Sequence, residues 1–85
     1  MEIEIYTSPL CGFCSVAKNL LIKKGLVFNE YDVLKDPSLK SIMIERAHGS
    51  TTVPQIFINQ HHIGGWEQLF GLDQNGKLDE MLRTK

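Results

Sequence analysis

The sequence predicts an α/β fold in which helices flank a four-stranded mixed sheet, and three observations support this prediction. First, a strand-like, a helical and a second strand-like segment follow one another within about 30 residues, which is typical of a parallel crossover unit. Second, two short apolar segments joined by a tight turn indicate an antiparallel hairpin. Third, a chain of 85 residues has the size of one small domain. We therefore predict a single domain over residues 1–85, in the order β-α-β-α-β-β-α.

The first crossover unit accounts for the N-terminal third of the chain. Residues 2–6 alternate polar and apolar side chains, which indicates a strand. Residues 12–24 predict a helix, and Gly25 suits its C-terminal cap. Residues 26–33 are rich in strand-forming side chains and predict the second strand. The apolar positions of the helix form one stripe that we expect to face the core: Phe13, Val16, Ala17, Leu20 and Leu21.

The second predicted helix begins at Asp36 and Pro37. A capping side chain followed by a proline in the first turn is typical of a helix start. An apolar stripe continues this helix to its end near Gly49.

The hairpin and the last helix complete the predicted order. Residues 55–58 and 61–63 predict two short strands, and the pair at 59–60 forms the turn between them. The last helix opens at Trp66. The polar segment 73–76 interrupts its apolar pattern before that pattern resumes.

Charge and hydropathy exclude several classes of partner. The formal net charge is −1 and the pI is about 6.3, so the sequence lacks the basic surface of a nucleic-acid-binding protein. No apolar run approaches the roughly 20 residues of a membrane span, and strand-like sequence follows Met1 without an apolar leader. We therefore expect a cytoplasmic protein without nucleic-acid or membrane partners.

The two cysteines of the chain, Cys11 and Cys14, form a Cys-Gly-Phe-Cys motif at the start of the first helix. A disulfide between them would close a very small loop and stabilise the fold little, so the pair suits a redox switch better than a structural bridge. The helix N-terminus favours an anion, so we predict that Cys11 is the nucleophile. Cys14 lies one turn further along and is predicted to be the resolving thiol. Phe13 between them offers a substrate an apolar edge.

Two other interpretations of the cysteine pair are weaker. Both side chains could be small buried hydrophobes, although a paired motif at a strand-to-helix junction is a known redox context. A zinc site needs about four ligands. The histidines that could join the cysteines do not show the paired spacing of a zinc motif, so we predict no metal: His48, His61 and His62.

Three motifs together make the chain resemble the glutaredoxins of the short bacterial dithiol type. They are Ile-Tyr-Thr at 5–7 ahead of the cysteines, Thr-Val-Pro-Gln-Ile-Phe-Ile at 52–58, and Ile-Gly-Gly at 63–65 before the last helix. The resemblance implies a thioredoxin-like fold, with the four-stranded mixed sheet flanked by three helices. It also implies reduction of protein–glutathione mixed disulfides and of small or protein disulfides, with glutathione as the electron donor.

The resemblance further implies a glutathione site beside the cysteines. The family's Val-Pro peptide bond is cis, so we expect a cis bond at Pro54 that brings the Val53 backbone next to Cys11, where it can pair with bound peptide. Free N–H groups at the start of the last helix would hold the γ-glutamyl carboxylate. Glu67 would pair with the α-amino group. The predicted glutathione-binding residues are Phe13, Thr52, Val53, Pro54, Gly65, Trp66 and Glu67.

The chain departs from the family at two cationic positions. Many relatives carry Lys where Ser8 stands and Arg where Ser50 stands. Either glutathione binding is weaker here, or another cation substitutes, with Lys18 and Arg46 as the candidates.

The resemblance leaves two alternatives open. Cys-Gly-Phe-Cys differs by one residue from the Cys-Gly-Phe-Ser of monothiol glutaredoxins, which bridge a [2Fe–2S] cluster between two subunits. The second alternative is a glutaredoxin-like redoxin that takes its electrons from thioredoxin reductase. The Thr-Val-Pro motif and the second cysteine favour the dithiol enzyme, which we expect to act as a monomer on glutathione and on disulfide-containing or glutathionylated proteins.

Overall fold

The computed structural model describes residues 2–83, and these residues form a four-stranded sheet with four helices. The strands are β1 (Ile3–Thr7), β2 (Asn29–Asp32), β3 (Gln55–Ile58) and β4 (His61–Gly64). The helices are α1 (Gly12–Lys23), α2 (Pro37–Arg46), α3 (Trp66–Gln74) and α4 (Lys77–Arg83).

The sheet is mixed, as the sequence predicts, and its spatial order is β2-β1-β3-β4. β1 runs parallel to β2 through the crossover helix α1 and antiparallel to β3. β4 returns antiparallel to β3. The hairpin turn falls at Asn59 and Gln60, whose φ angles of 50° and 72° are those of a two-residue turn with both central residues left-handed. The hairpin prediction is therefore confirmed.

Alternation along the strands divides the core between the two faces of the sheet. On one face, Ile3, Ile5, Ile56 and Ile58 pack against residues of α1, α3 and α4: Ala17, Leu21, Leu69 and Leu78. On the other face, Tyr6 and Phe57 pack with Val33 and with residues at and after α2: Met43 and Ala47. The sheet thus lies between two helical layers.

Three sequence predictions need correction or refinement. Phe13 and Val16 are exposed, so the buried stripe of α1 is Cys14, Ala17 and Leu21. The second strand begins only at Asn29, because the chain first completes the cap of α1. The polar segment 73–76 divides the last predicted helix into α3 and α4.

The end of α1 shows why the second strand starts late. Gly25 has a φ of +72°, which glycine adopts without strain. Its N–H donates to the Ile22 carbonyl at 2.9 Å, and the Leu26 N–H donates to the Leu21 carbonyl at 3.0 Å. This Schellman motif uses the N–H of Leu26 within the helix cap.

The start of α2 is as predicted, because the Asp36 carboxylate accepts a hydrogen bond from the Ser38 N–H at 3.0 Å. No helix among residues 2–83 is long and apolar enough to cross a membrane.

Candidate active site

The sheet register brings three separate segments to one end of the molecule. β1 ends at Thr7 and leads into the cysteine loop. β3 runs the opposite way and pairs Gln55 with Tyr6, so the segment before β3 lies at the same end. β4 pairs Gly64 with Ile56, so α3 begins there too. The cysteines, the segment 52–54 and the start of α3 are therefore neighbours.

Cys11 is the N-cap residue of α1 and is half-buried. Its Sγ accepts a hydrogen bond from the Cys14 N–H at 3.1 Å. Its S–H donates to the Val53 carbonyl at 3.4 Å. A sulfur that receives a helical N–H is placed to carry negative charge, and this is the position that the sequence predicts for the nucleophile.

Cys14 lies one turn into α1 and is buried, with 1% of its surface exposed. Burial raises the pKa of the Cys14 thiol to about 12, and the hydrogen bond with Cys11 acts in the same direction. The two cysteines therefore differ in burial and in hydrogen bonding. Both thiols are free in this structure.

A pocket of about 190 Å³ opens beside the cysteines. The Val53–Pro54 peptide bond on its wall is cis, as the resemblance implies. All seven predicted glutathione-binding residues line this pocket, together with one residue that the sequence analysis does not single out: Phe13, Thr52, Val53, Pro54, Gly65, Trp66, Glu67 and Gln68.

Gln68 closes the start of α3. Its Oε1 accepts a hydrogen bond from the Gly65 N–H at 2.8 Å. Gly64 has a φ of +121°, and a Cβ at this position would lie 2.9 Å from Cγ of Gln68, so the turn into α3 requires glycine. A glutamine three residues after a cap position is a recognised helix-start signal, and it could have identified Gln68 from the sequence.

The aromatic side chains of Trp66 and Phe13 line the pocket, and Trp66 also packs on Phe70. The rings of Trp66 and Phe70 lie 5.1 Å apart, which is contact distance for an aromatic pair. Phe13 faces the same pocket with 63% of its surface exposed. The pocket therefore offers a ligand both apolar surface and backbone groups.

Neither candidate substitute for the absent cations lines the pocket. Lys18 pairs with Glu30 at 2.9 Å and acts only weakly on Cys14. Arg46 is bound to Glu4 at 2.8 Å, so its guanidinium is already engaged. The suggestion that Lys18 or Arg46 substitutes for the absent cations therefore stays a prediction, and neither side chain lies in the pocket lining. Among residues 2–83, Glu67 is the one charged side chain that lines the pocket.

Among residues 2–83, no group of three or more cysteine, histidine or acidic side chains is arranged to hold a metal ion. His61 is exposed and His62 is half-buried, so the two adjacent histidines face different surroundings, as strand alternation predicts.

A family model described as Glutaredoxin matches residues 3–63. A probable glutaredoxin of Synechocystis sp. is 49% identical over 83 residues, which cover 98% of this chain and 76% of that protein. Glutaredoxin 3 of Escherichia coli is 46% identical over 82 residues, which cover 96% of this chain and 98% of that protein.

Solved structures agree with these sequence matches. The solution structure of a Brucella melitensis glutaredoxin superposes with a TM-score of 0.84 at 46% identity and covers 99% of this chain and 90% of that one. A buckwheat glutaredoxin–glutathione complex superposes with a TM-score of 0.86 at 26% identity and covers 94% and 74% of the two chains. Because relatives match almost end to end in both sequence and backbone, the chain belongs to the glutaredoxin family of thiol–disulfide oxidoreductases and shares their thioredoxin-like fold.

Proposed function

We propose that this protein uses glutathione to reduce protein–glutathione mixed disulfides and small or protein disulfides, with Cys11 as nucleophile and Cys14 as resolving thiol. The observation that supports this most strongly is the contrast between the two sulfurs. Cys11 is accessible and receives a helical N–H, whereas Cys14 is buried with a raised pKa. Such a pair provides one reactive thiolate and one protonated thiol that can react in a later step.

In the first step, the Cys11 thiolate attacks the glutathionyl sulfur of a mixed disulfide. A sulfur–sulfur bond forms between Cys11 and glutathione, and the target protein leaves as a thiolate that takes up a proton. The Cys14 N–H at 3.1 Å stabilises the negative charge on the Cys11 sulfur before attack.

Two routes complete the cycle. The thiolate of a second glutathione can attack the glutathionyl sulfur, which releases glutathione disulfide and regenerates Cys11. Alternatively, Cys14 loses its proton and its thiolate attacks the Cys11 sulfur, which releases glutathione as a thiolate and forms the Cys11–Cys14 disulfide. Two further glutathione molecules then reduce that disulfide, which leaves both cysteines as thiols and releases glutathione disulfide. The hydrogen bond from Cys14 to Cys11 raises the pKa of Cys14 in the reduced protein, so capping Cys11 in the mixed disulfide removes one cause of that shift.

The pocket beside Cys11 suits the glutathionyl group. The first N–H groups of α3, at Trp66 and Glu67, have no acceptor within the helix and can hold the γ-glutamyl carboxylate. The Glu67 carboxylate can pair with the α-ammonium group, and the Val53 backbone can pair with the cysteinyl unit. The likeness to the buckwheat glutaredoxin, whose structure contains glutathione, supports this assignment.

A coupled assay tests the electron donor. The purified protein is given a glutathione mixed disulfide with glutathione, glutathione reductase and NADPH, and a parallel reaction contains thioredoxin reductase instead. We expect turnover only with glutathione. Turnover only with thioredoxin reductase would reject glutathione as the donor. Inactivity in both, with visible absorption after anaerobic purification, would favour a cluster-binding role instead.

We further propose a cytoplasmic location, because the glutathione pool of that compartment keeps dithiols of this kind reduced.

A further inference from the structure

We propose that Gln55 is a positioning residue for the reaction, which fixes the backbone at Thr52 and Val53 against Cys11, and that His62 orients its amide group. This inference rests on the proposed function, because it concerns the same site. Gln55 does not line the pocket and touches neither sulfur. Its effect would pass through the backbone of the segment before the cis bond.

The Gln55 side chain is buried, with 3% of its surface exposed, yet every polar atom of its amide has a partner. Its Nε2 donates to the Thr52 carbonyl at 3.0 Å and to the Ser50 Oγ at 2.9 Å. A further contact of 3.3 Å joins Nε2 to the Thr52 Oγ1. One buried amide therefore ties down both ends of the segment that leads into the pocket wall.

Thr52 and His62 together fix which way this amide points. The Thr52 carbonyl can only accept a hydrogen bond, so the nitrogen of Gln55 must face it and Oε1 must face His62. The Nε2 of His62 lies 2.6 Å from that oxygen, so this ring nitrogen carries the proton and donates. Burial, and then the charge of nearby His48, lower the pKa of His62, which favours the neutral ring.

The Gln55 amide is connected to the Cys11 sulfur through the backbone of Thr52 and Val53. Thr52, whose carbonyl Gln55 holds, is bonded directly to Val53. The Val53 carbonyl in turn accepts the S–H of Cys11 at 3.4 Å. In the proposed function, the same Val53 backbone pairs with the bound disulfide. Loss of the Gln55 amide should therefore weaken substrate binding more than it changes the reactivity of the sulfur.

The main test is the Gln55→Met variant, which keeps the side-chain length and removes the amide. We expect KM for a glutathione mixed disulfide to rise by about tenfold, the equivalent of one or two lost hydrogen bonds, while kcat changes by less than about twofold. Alkylation of Cys11 by iodoacetamide needs no backbone pairing, so its rate should also stay within about twofold of the wild-type value.

The matched control is Glu4→Gln. Glu4 is buried on the same face of the sheet as Gln55, and it hydrogen-bonds Arg46 rather than the segment at 52–53. This variant should lower the melting temperature and leave KM unchanged. An unchanged KM in Gln55→Met, or an equal rise in Glu4→Gln, would overturn the proposal.

Two further measurements test the proposal if Gln55→Met does not fold or if the wild-type protein shows no turnover. If Gln55→Met does not fold, His62→Phe removes only the orienting donor, and we expect KM to rise by about threefold; no rise would overturn the proposal. Nitrogen-15 relaxation at Thr52 and Val53 reports positioning without turnover, and order parameters should fall in Gln55→Met but not in Glu4→Gln. If the wild-type protein shows no turnover with either electron donor, the proposed function is rejected. Unchanged order parameters at Thr52 and Val53 in Gln55→Met would separately reject the positioning role of Gln55.

Discussion

The two ends of the central sheet are built in opposite ways. At the hairpin end, polar groups bind one another. The Asn59 N–H donates to the Glu2 carbonyl at 2.8 Å, and the Glu2 N–H donates to the Asn59 side chain at 2.9 Å. Gln60 binds the Glu2 carboxylate and also accepts from Arg46. This end closes the sheet.

The opposite end of the sheet, the thiol end, carries Cys11, the segment 52–54 and the start of α3, and its polar groups have few partners within the fold. Among residues 2–83, the Cys11 sulfur accepts a hydrogen bond from one N–H and donates to one carbonyl, and the α3 N-terminus faces an open pocket. The buried amide of Gln55 lies behind this surface and holds it in place. The difference teaches that polar groups satisfied within the fold give stability, whereas groups left facing a pocket remain available to a ligand.

The largest effect we expect at the thiol end comes from Cys11→Ser. A serine hydroxyl is a far weaker nucleophile than a thiolate, so turnover should fall by about 1,000-fold or more in the glutathione-coupled assay. The matched variant Cys14→Ser should keep turnover of glutathione mixed disulfides and lose reduction of protein disulfides. Wild-type activity in Cys11→Ser would contradict the assignment of the nucleophile, and loss of both activities in Cys14→Ser would refute the monothiol route.

Selective alkylation tests the contrast between the two sulfurs. A rise in the pKa of Cys14 from 9.0 to about 12 lowers its thiolate fraction near neutral pH by about 1,000-fold. Iodoacetamide at about pH 8 should therefore label Cys11 alone, as read by peptide mass spectrometry. Guanidinium chloride serves as the control, since both cysteines should react in the unfolded chain. Equal labelling of the folded protein would show that Cys14 is not protected.

Arg46→Leu tests the hairpin end. It leaves the Glu4 carboxylate buried without its guanidinium partner, so the free energy of unfolding should fall by about 3 kcal/mol. Turnover by the folded fraction should stay within about twofold of wild type, because Arg46 does not line the pocket. Lys40→Leu, at an exposed position on the same helix, should change stability little. A large loss of turnover in Arg46→Leu would contradict the conclusion that the hairpin end supports stability while the thiol end supports turnover.

The smallest expected effect is a dependence of stability on pH. The hydrogen bond from Arg46 is the main cause that holds the pKa of Glu4 below its usual value of 4.5. A lowered pKa contributes stability that is present above pH 4.5 and is lost as the pH falls through the folded-state value. Urea titrations of wild type and Glu4→Gln should therefore converge on acidification. A constant difference between them would contradict this linkage.

Much of the fold could be predicted from local patterns. Short-range chemistry predicts the cap at Asp36, the turn at Asn59 and Gln60, and the start of α1 at Gly12, and the structure confirms all three. The buried face of α1 could not be predicted in the same way. Phe13 and Val16 fit the apolar stripe as well as Leu21 does, and only the position of the sheet decides which side is covered.

The candidate site also has a part that the sequence predicts and a part that it does not. Sequence motifs point to the cysteines and to seven residues that line one pocket, because each motif is a short run with its own chemistry. The role of Gln55 has no sequence motif of its own. Its partners Ser50, Thr52 and His62 are near it in the chain, but only the turn before β3 and the hairpin bring all three to one amide.

The sequence by itself determined the order of elements, the paired thiols and the family motifs, because these depend on neighbouring residues along the chain. The tertiary structure alone decided that Cys14 is buried while Cys11 is accessible, and that Arg46 is engaged by Glu4. Burial and charge pairing depend on contacts between residues that are distant in sequence. Such contacts set the pKa of Cys14 and the partners of Arg46, and no local pattern encodes them.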